Sequence, residues 1–483
     1  MTPTVSQKPR NKERRPTPTV SAVFSDGKIL ELIYDAEKKR SSFALWEDGA
    51  WRTAESHRTE TGEWFVPYSP WNNLIKNQVV HLPQQPEEYG TEDDLIRAIR
   101  HFIRTYVDIS PRFELIASYY ALFSWVYDGF NELPYLRVRG DYGSGKTRFL
   151  LTVGSICYKP IFASGATSTS AMFRILDVFR GTLIIDEADF RNSDEMSDVT
   201  KILNCGFVKG LPVLRTEVSQ NREFNPRAFQ VFGPKLVATR GYYQDRGLES
   251  RHITEEMGGE RLRRDIPINL PASHKDEALR LRNQLLLYRF RNLHTVQPDT
   301  ALVDPAIEPR LNQIFIPLMS IVSRESVRQE FRLLARQYHK ELLVDRSMAI
   351  EGQLLEVIRD MVRASERTQL SIKEISRVFI ETYGAEYERS VTPKWLGGII
   401  RRKLRLKTQK SSHGVFVIPP DEIPKLKRLY ERYGIEELER QERPEEGSEK
   451  DGNILSPRSD NADVADVGYT DEEGADTADL SVK

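Results

Sequence analysis

Gly140-Asp141-Tyr142-Gly143-Ser144-Gly145-Lys146-Thr147 is the stretch on which the reading of this chain turns. It fits G-x-x-x-x-G-K-[ST], and the spacing has a chemical reason. Gly140, Gly143 and Gly145 let backbone N–H groups turn inward, with Ser144 among them, so that the loop can wrap phosphates. A helix opening at Lys146 would aim its positive end at the same point. Lys146 would reach the β- and γ-phosphates, and the Thr147 hydroxyl would ligate Mg²⁺. The flanks agree: Tyr135–Val138 reads as an apolar strand and Arg148–Ile156 as a helix. ATP and Mg²⁺ are therefore the expected cofactors.

Forty residues on, Thr182-Leu-Ile-Ile-Asp186-Glu187-Ala-Asp189 reads as a buried strand ending in two carboxylates. Asp186 is expected to hold the metal. Glu187 is expected to orient and deprotonate water, because phosphoryl transfer needs positioning and charge neutralisation more than covalent chemistry. Asp189 fits a helix cap better. A further apolar run, Lys235–Thr239, ends in a hydroxyl, so Thr239 is a candidate sensor of the γ-phosphate. Arg251 leads directly into the run His252–Glu255 and is preferred to Arg246 as an arginine that completes a neighbouring copy's site. With Pro160–Ala163, these runs make five short strands alternating with helices, the pattern of a parallel α/β sheet.

Outward from this core, residues 1–20 are polar and Pro-rich and read as a disordered arm. Residues 21–85 read as a small β module with Asp-Gly turns. Its aromatics (Phe43, Trp46, Trp51, Trp64, Phe65, Tyr68 and Trp71) suit a core first and a base-stacking surface second. Residues 91–272 form the phosphate-binding domain with a helical prelude, and 273–345 a helical lid. Residues 350–432 read as a winged helix, with helix starts at Ser371 and at Thr392-Pro393, then a hairpin of Leu404–Thr408 and Val415–Ile418 about a turn at 410–414. Residues 433–483 read as a disordered acidic tail.

Charge follows this division. Of 483 residues, 70 are Lys or Arg and 71 Asp or Glu, a net of −1. Residues 441–483 carry 13 acids and four bases, whereas 391–430 carry ten bases and two acids. Lys394, Arg401, Arg402, Lys403, Arg405, Lys407 and Lys410 lie on the third helix and wing of that unit. They are candidate phosphate contacts for DNA. Cys157 and Cys205 are too few for a disulfide framework and suit a reducing, cytoplasmic setting. No apolar run approaches a membrane span, and the basic N-terminus lacks a secretory h-region. The eight histidines show no metal-ligand spacing, no G-x-S-x-G elbow appears, and Cys157 reads as core.

The phosphate loop, Ala171-Met-Phe-Arg174, Thr182–Asp189, Ile202-Leu-Asn204-Cys-Gly206, Val213-Leu-Arg215, Arg251 and Glu308–Leu318 occur in an order that resembles one family. It is the P-loop ATPase domain of phage, plasmid and island primase-helicases, within the AAA+-like ring ATPases. The resemblance spans residues 134–325. It implies an AAA+-like core with a parallel sheet, an ATP-driven DNA motor, assembly into a homo-oligomeric ring such as a hexamer, and a replicative role in a mobile element. It also makes Arg310 a candidate second sensor that contacts nucleotide from the lid. The chain departs from such proteins in lacking a zinc ribbon and a primase-like acidic constellation. Priming would therefore fall to a separate primase or other replication protein. Two alternatives stay open: a DNA-binding regulatory, loading or defence ATPase that does not unwind, and a nucleotide-gated scaffold.

Overall fold

A computed structural model describes residues 15–163, 167–186, 194–216, 225–243, 245–258, 262–364, 370–384, 387, 391–410 and 416–435, without side chains at 194–198, 345, 364, 416 and 417. At its centre lies a five-stranded sheet in the order His252–Glu256, Tyr135–Arg139, Lys235–Thr239, Leu183–Ile185, Ile161–Ala163. Every neighbouring pair is parallel. Tyr135–Arg139 and Lys235–Thr239 are buried at all five positions, as central strands covered on both faces must be. This is an α/β sheet that fits a P-loop NTPase core, with the Lys235–Thr239 strand inserted between the strand that feeds the glycine loop and the strand that ends at Asp186.

The sequence-expected strand boundaries match to within a residue at each end. Helices pack around the sheet: Glu92–Tyr106, Pro111–Ser124, Lys146–Ile156, Thr169–Phe179, Asp194–Cys205 and the long Ser273–Asn292. Glu92–Tyr106 opens with a reciprocal Thr91–Asp94 capping box, which satisfies two helix-start donors. Cys157 is fully buried, as expected of a core thiol, and burial pushes it up to about 12.

Residues 21–54 form a four-stranded antiparallel meander, Ser21–Val23, Ile29–Asp35, Arg40–Glu47 and Ala50–Ala54. It has no core of its own: one apolar cluster runs from Val20 through the central sheet to Ala335. Most of its aromatics are spent on that packing. Phe43 is fully buried, Trp46 stacks on Phe290 at 5.6 Å, and Tyr68 lies 5.9 Å from Phe179. Trp71 alone among those singled out is well exposed, at 66%.

A second cluster, Leu354 to Ile435, forms the C-terminal unit. Helices Ile350–Ala364, Ile372–Tyr383 and Pro393–Arg402 pack with a three-stranded sheet, Leu370–Ser371, Phe416–Ile418 and Gln409–Lys410. Ser371 and Thr392 cap their helices as expected. The first hairpin strand is Gln409–Lys410, not Leu404–Thr408. Leu404 and Leu406 are both buried, and Arg405 between them adopts φ 56°, so the chain turns where an extended strand was expected. Past Lys410 the expected turn at 410–414 lies outside the described residues, as do the tail beyond 435 and most of the N-terminal arm.

Candidate active site

The glycine loop leaves the Tyr135–Arg139 strand and enters the Lys146–Ile156 helix. Gly143 and Gly145 have φ of 74° and 91°, a backbone that favours glycine. At Gly140 the need is space: an added Cβ would collide with the Met257 carbonyl and stand 2.7 Å from Ser144 Oγ. Among the described residues no side chain caps the start of the Lys146–Ile156 helix. The Lys146 ammonium donates to the carbonyls of Gly140 and Asp141, each at 2.7 Å.

Across the loop, Thr147 Oγ1 donates to Asp186 Oδ2 at 2.6 Å. The helix start and the end of the Leu183–Ile185 strand are thereby joined, although the two residues lie 39 positions apart. A cleft of about 330 Å³ opens here, and Tyr142, Ser144, Lys146, Thr147, Asp186 and Arg240 are among its lining residues. Glu187 and Asp189 lie outside the described residues.

Thr239 closes the Lys235–Thr239 strand beside the glycine loop, where Gly140 N donates to its carbonyl at 3.2 Å. It is 1% exposed, it does not line the cleft, and its hydroxyl has no hydrogen-bond partner among the described residues. The strand continues through it, in register with Arg139, and the next residue, Arg240, is the one that reaches the cleft. A basic residue one position past a buried strand was the signal for it in the sequence.

Arg251 sits at the opposite end of the sheet. Its carbonyl accepts from Tyr135 N at 2.9 Å, at the start of the strand that ends in the glycine loop. Five strand residues separate the two, roughly 16 Å at the usual rise. Arg251 Nη1 donates to Asn204 Oδ1 at 2.6 Å, and Asn204 Nδ2 donates to Asp245 Oδ2 at 3.2 Å. The Arg251 guanidinium lies 5.3 Å from the centroid of Phe207, and its buried Nε has no partner among the described residues. Arg310 joins it: its guanidinium lies 4.9 Å from the same ring, and it donates to Gln313 Oε1 at 2.8 Å. Burial and then the Arg251 charge lower the Arg310 pKa. Arg310 thus stands with Arg251 beside Phe207. Arg246 is exposed and 3.7 Å from Glu351.

In the C-terminal unit, Lys394, Arg401, Arg402, Lys403, Arg405, Lys407 and Lys410 are all exposed. Lys403 comes within 3.7 Å of Glu351. Lys425 donates to the Arg405 carbonyl. The chain from 391 to 420 contains no acid.

No family model matches the chain, and no curated protein matches it. Among solved structures, the NrS-1 C-terminal region is similar over 81% of this chain and 96% of its own length, at 10% identity and a TM-score of 0.35. The JCV helicase is similar over 55% of this chain and 64% of its own length, at 10% identity and a TM-score of 0.22. The ORC2 protein of Aeropyrum pernix in its ADP form covers 69% of this chain and 96% of itself, at 11% identity and a TM-score of 0.20. All three TM-scores lie below 0.5, so the function has to be read from this chain's own residues.

Proposed function

We propose that the chain is an ATP-hydrolysing, DNA-binding motor whose copies form a ring, and that it serves as a replicative helicase of a mobile genetic element. The observation that carries this reading is the 2.6 Å bond from Thr147 to Asp186 beside the uncapped helix start. It puts two hard oxygen ligands next to a phosphate cradle, a donor set that suits Mg²⁺. Thr147 and Asp186 would hold the ion, which when bound would neutralise phosphate charge. Lys146 would leave the loop carbonyls for the phosphates, and the helix N–H groups would cradle them. Glu187, next in sequence, is the proposed base that orients water.

Arg251 is too far from its own loop to touch the same nucleotide, which fits an arginine offered to a neighbour. Asn204 and Phe207 would hold it in place, with Arg310 alongside, so Arg310 is proposed to act across the same interface. The exposed cations of residues 394–410, in a helical unit with a small sheet, are proposed as a winged-helix surface for DNA phosphates.

The test is a strand-displacement and ATPase assay on wild type, Lys146→Ala and Glu187→Gln. The proposal expects DNA unwinding that needs ATP and vanishes in both variants. Hydrolysis with DNA binding but without displacement would make the protein a regulatory, loading or defence ATPase. Hydrolysis with no DNA binding at low salt would favour a nucleotide-gated scaffold.

A further inference from the structure

Lys235 opens the Lys235–Thr239 strand, at the end of the sheet away from the glycine loop, and its side chain is fully buried. It forms no ion pair among the described residues, and burial lowers its ammonium to about 7. A buried cation without a counter-charge is costly unless its surroundings compensate. Here they do so with carbonyls. Nζ donates to Val231 O at 2.9 Å and to Gly233 O at 2.6 Å, and it lies 5.3 Å from the centroid of Tyr135. The backbone is pinned as well. Lys235 N donates to the Tyr120 phenol oxygen at 2.8 Å, and that phenol donates to Lys235 O at 2.9 Å.

What this ammonium supports is the turn at Gly206. A Cβ at Gly206 would stand 2.7 Å from Lys235 Nζ and 2.6 Å from the Val231 carbonyl oxygen. Gly233 N donates to Gly206 O at 3.4 Å. Lys235 and the carbonyls it holds therefore form the floor on which the turn lies. The turn leaves the Asp194–Cys205 helix and brings two residues to Arg251. Asn204 Oδ1 accepts from Arg251 Nη1 at 2.6 Å, and the Phe207 ring lies 5.3 Å from the Arg251 guanidinium. The same ring lies 4.9 Å from the Arg310 guanidinium. Tyr135 joins the layers: its hydroxyl donates to Leu203 O at 2.8 Å, and its ring lies 6.0 Å from Phe207.

Without the ammonium, the carbonyls of Val231 and Gly233 lose a donor inside the protein, where such a loss is costly. The segment 231–233 then loses its tie beneath the turn, and a guanidinium set by Asn204 and Phe207 shifts with them. A misplacement of about 1 Å at a reacting group costs about a hundredfold in rate. We propose that Lys235 is a positioning residue for the arginine that one copy offers to the next: it sets the Gly206 turn, and the turn sets Arg251 with Arg310 beside it. This inference rests on the reading of Arg251 as an arginine that acts between copies.

The test is subunit mixing with Lys235→Met, which keeps an unbranched apolar chain and removes the ammonium. Lys146→Ala copies still offer Arg251, and Arg251→Ala copies keep an intact glycine loop; their mixture is the reference and should hydrolyse ATP. Adding Lys235→Met to the copies that offer the arginine should lower the rate about tenfold or more, whereas adding it to the copies that supply the loop should leave the rate within about twofold. Retained activity in the second mixture shows that Lys235→Met folds, and sedimentation of each mixture checks assembly. An equal loss in both mixtures, or a loss of assembly, would mean that Lys235 supports the fold at large. No loss in either would mean that it positions nothing. Each of these results overturns the inference. A reference mixture that stays inactive would defeat the arginine reading first, and the role of Lys235 would fall with it.

Discussion

At the scale of single residues, the proposed chemistry depends on a hydroxyl that donates to a carboxylate and keeps its lone pairs for a metal. Thr147→Ala removes that ligand and leaves Asp186 without its 2.6 Å donor. Hydrolysis measured against Mg²⁺ concentration should fall about a hundredfold or more, the scale of losing one preorganised transition-state contact. Thr147→Ser keeps the hydroxyl and should retain most of the rate. Equal loss in both variants would show that the threonine methyl, not the oxygen, matters. Lys146, Thr147 and Asp186 were readable because the loop spacing fixes what each must do. Thr239 and Arg240 were not readable at the same resolution. An apolar strand does not announce its last buried position, and one residue separates a hydroxyl inside the sheet from a guanidinium at the cleft.

At the scale of elements, the three central strands were legible because each is a short, mostly apolar run buried at every position, and the two edge strands, which are partly exposed, were legible from their place in the alternation with helices. Helix starts were legible from their caps, Ser371 and Thr392. The hairpin was less so. Leu404-Arg405-Leu406 alternates as a strand does, but the positive φ at Arg405 turns the chain while both leucines stay buried. The lid helix Pro309–Ser320 was legible as a helix, but not in what it approaches. Phe207 brings Arg310 to Arg251 from 59 residues away in sequence, a contact that no local pattern encodes. The third helix of the C-terminal unit carries its own prediction. Arg401→Glu with Arg402→Glu should abolish duplex binding at moderate salt. At lower salt the slope of log affinity against log salt should be shallower by about two, the value for two lost phosphate contacts. Unchanged affinity would remove this face from the DNA-binding account.

At the scale of the whole molecule, a buried charge cluster ties the N-terminal meander to the α/β core. Glu31 lies 2.8 Å from Lys159 Nζ and 2.8 Å from Arg289 Nε, and all three are at most 1% exposed. Arg289 also pairs with Asp128 at 2.7 Å. Burial alone would raise the Glu31 carboxyl, but the charges of Lys159 and Arg289 outweigh it and hold the group below its usual 4.5. A carboxylate with a depressed folded pKa contributes fully above its unfolded value and loses that contribution as pH falls through the folded one. Folding stability should therefore drop below about pH 4.5, with Glu31 among the groups responsible. Glu31→Gln leaves two buried cations short of a counter-charge and should cost about 3–5 kcal/mol at pH 7. Its denaturation midpoint should also depend less on pH below about 4.5. A midpoint within error of wild type would show that the cluster is not what joins the two parts. The net charge of −1 concealed this cluster as it concealed the separation of basic 391–430 from acidic 441–483.

The ring is the claim on which the proposed motor depends, because Arg251 and the glycine loop stand at opposite ends of one sheet. Subunit mixing tests it directly. Lys146→Ala copies should lose their own nucleotide site but still offer Arg251, and Arg251→Ala copies should keep the site but offer no arginine. Each variant alone should hydrolyse ATP at a small fraction of the wild-type rate. Their mixture should regain activity, because some junctions join an intact loop to an intact arginine. A mixture that stays as inactive as its parents, although both variants assemble with each other as the wild type does, would contradict a site completed between copies.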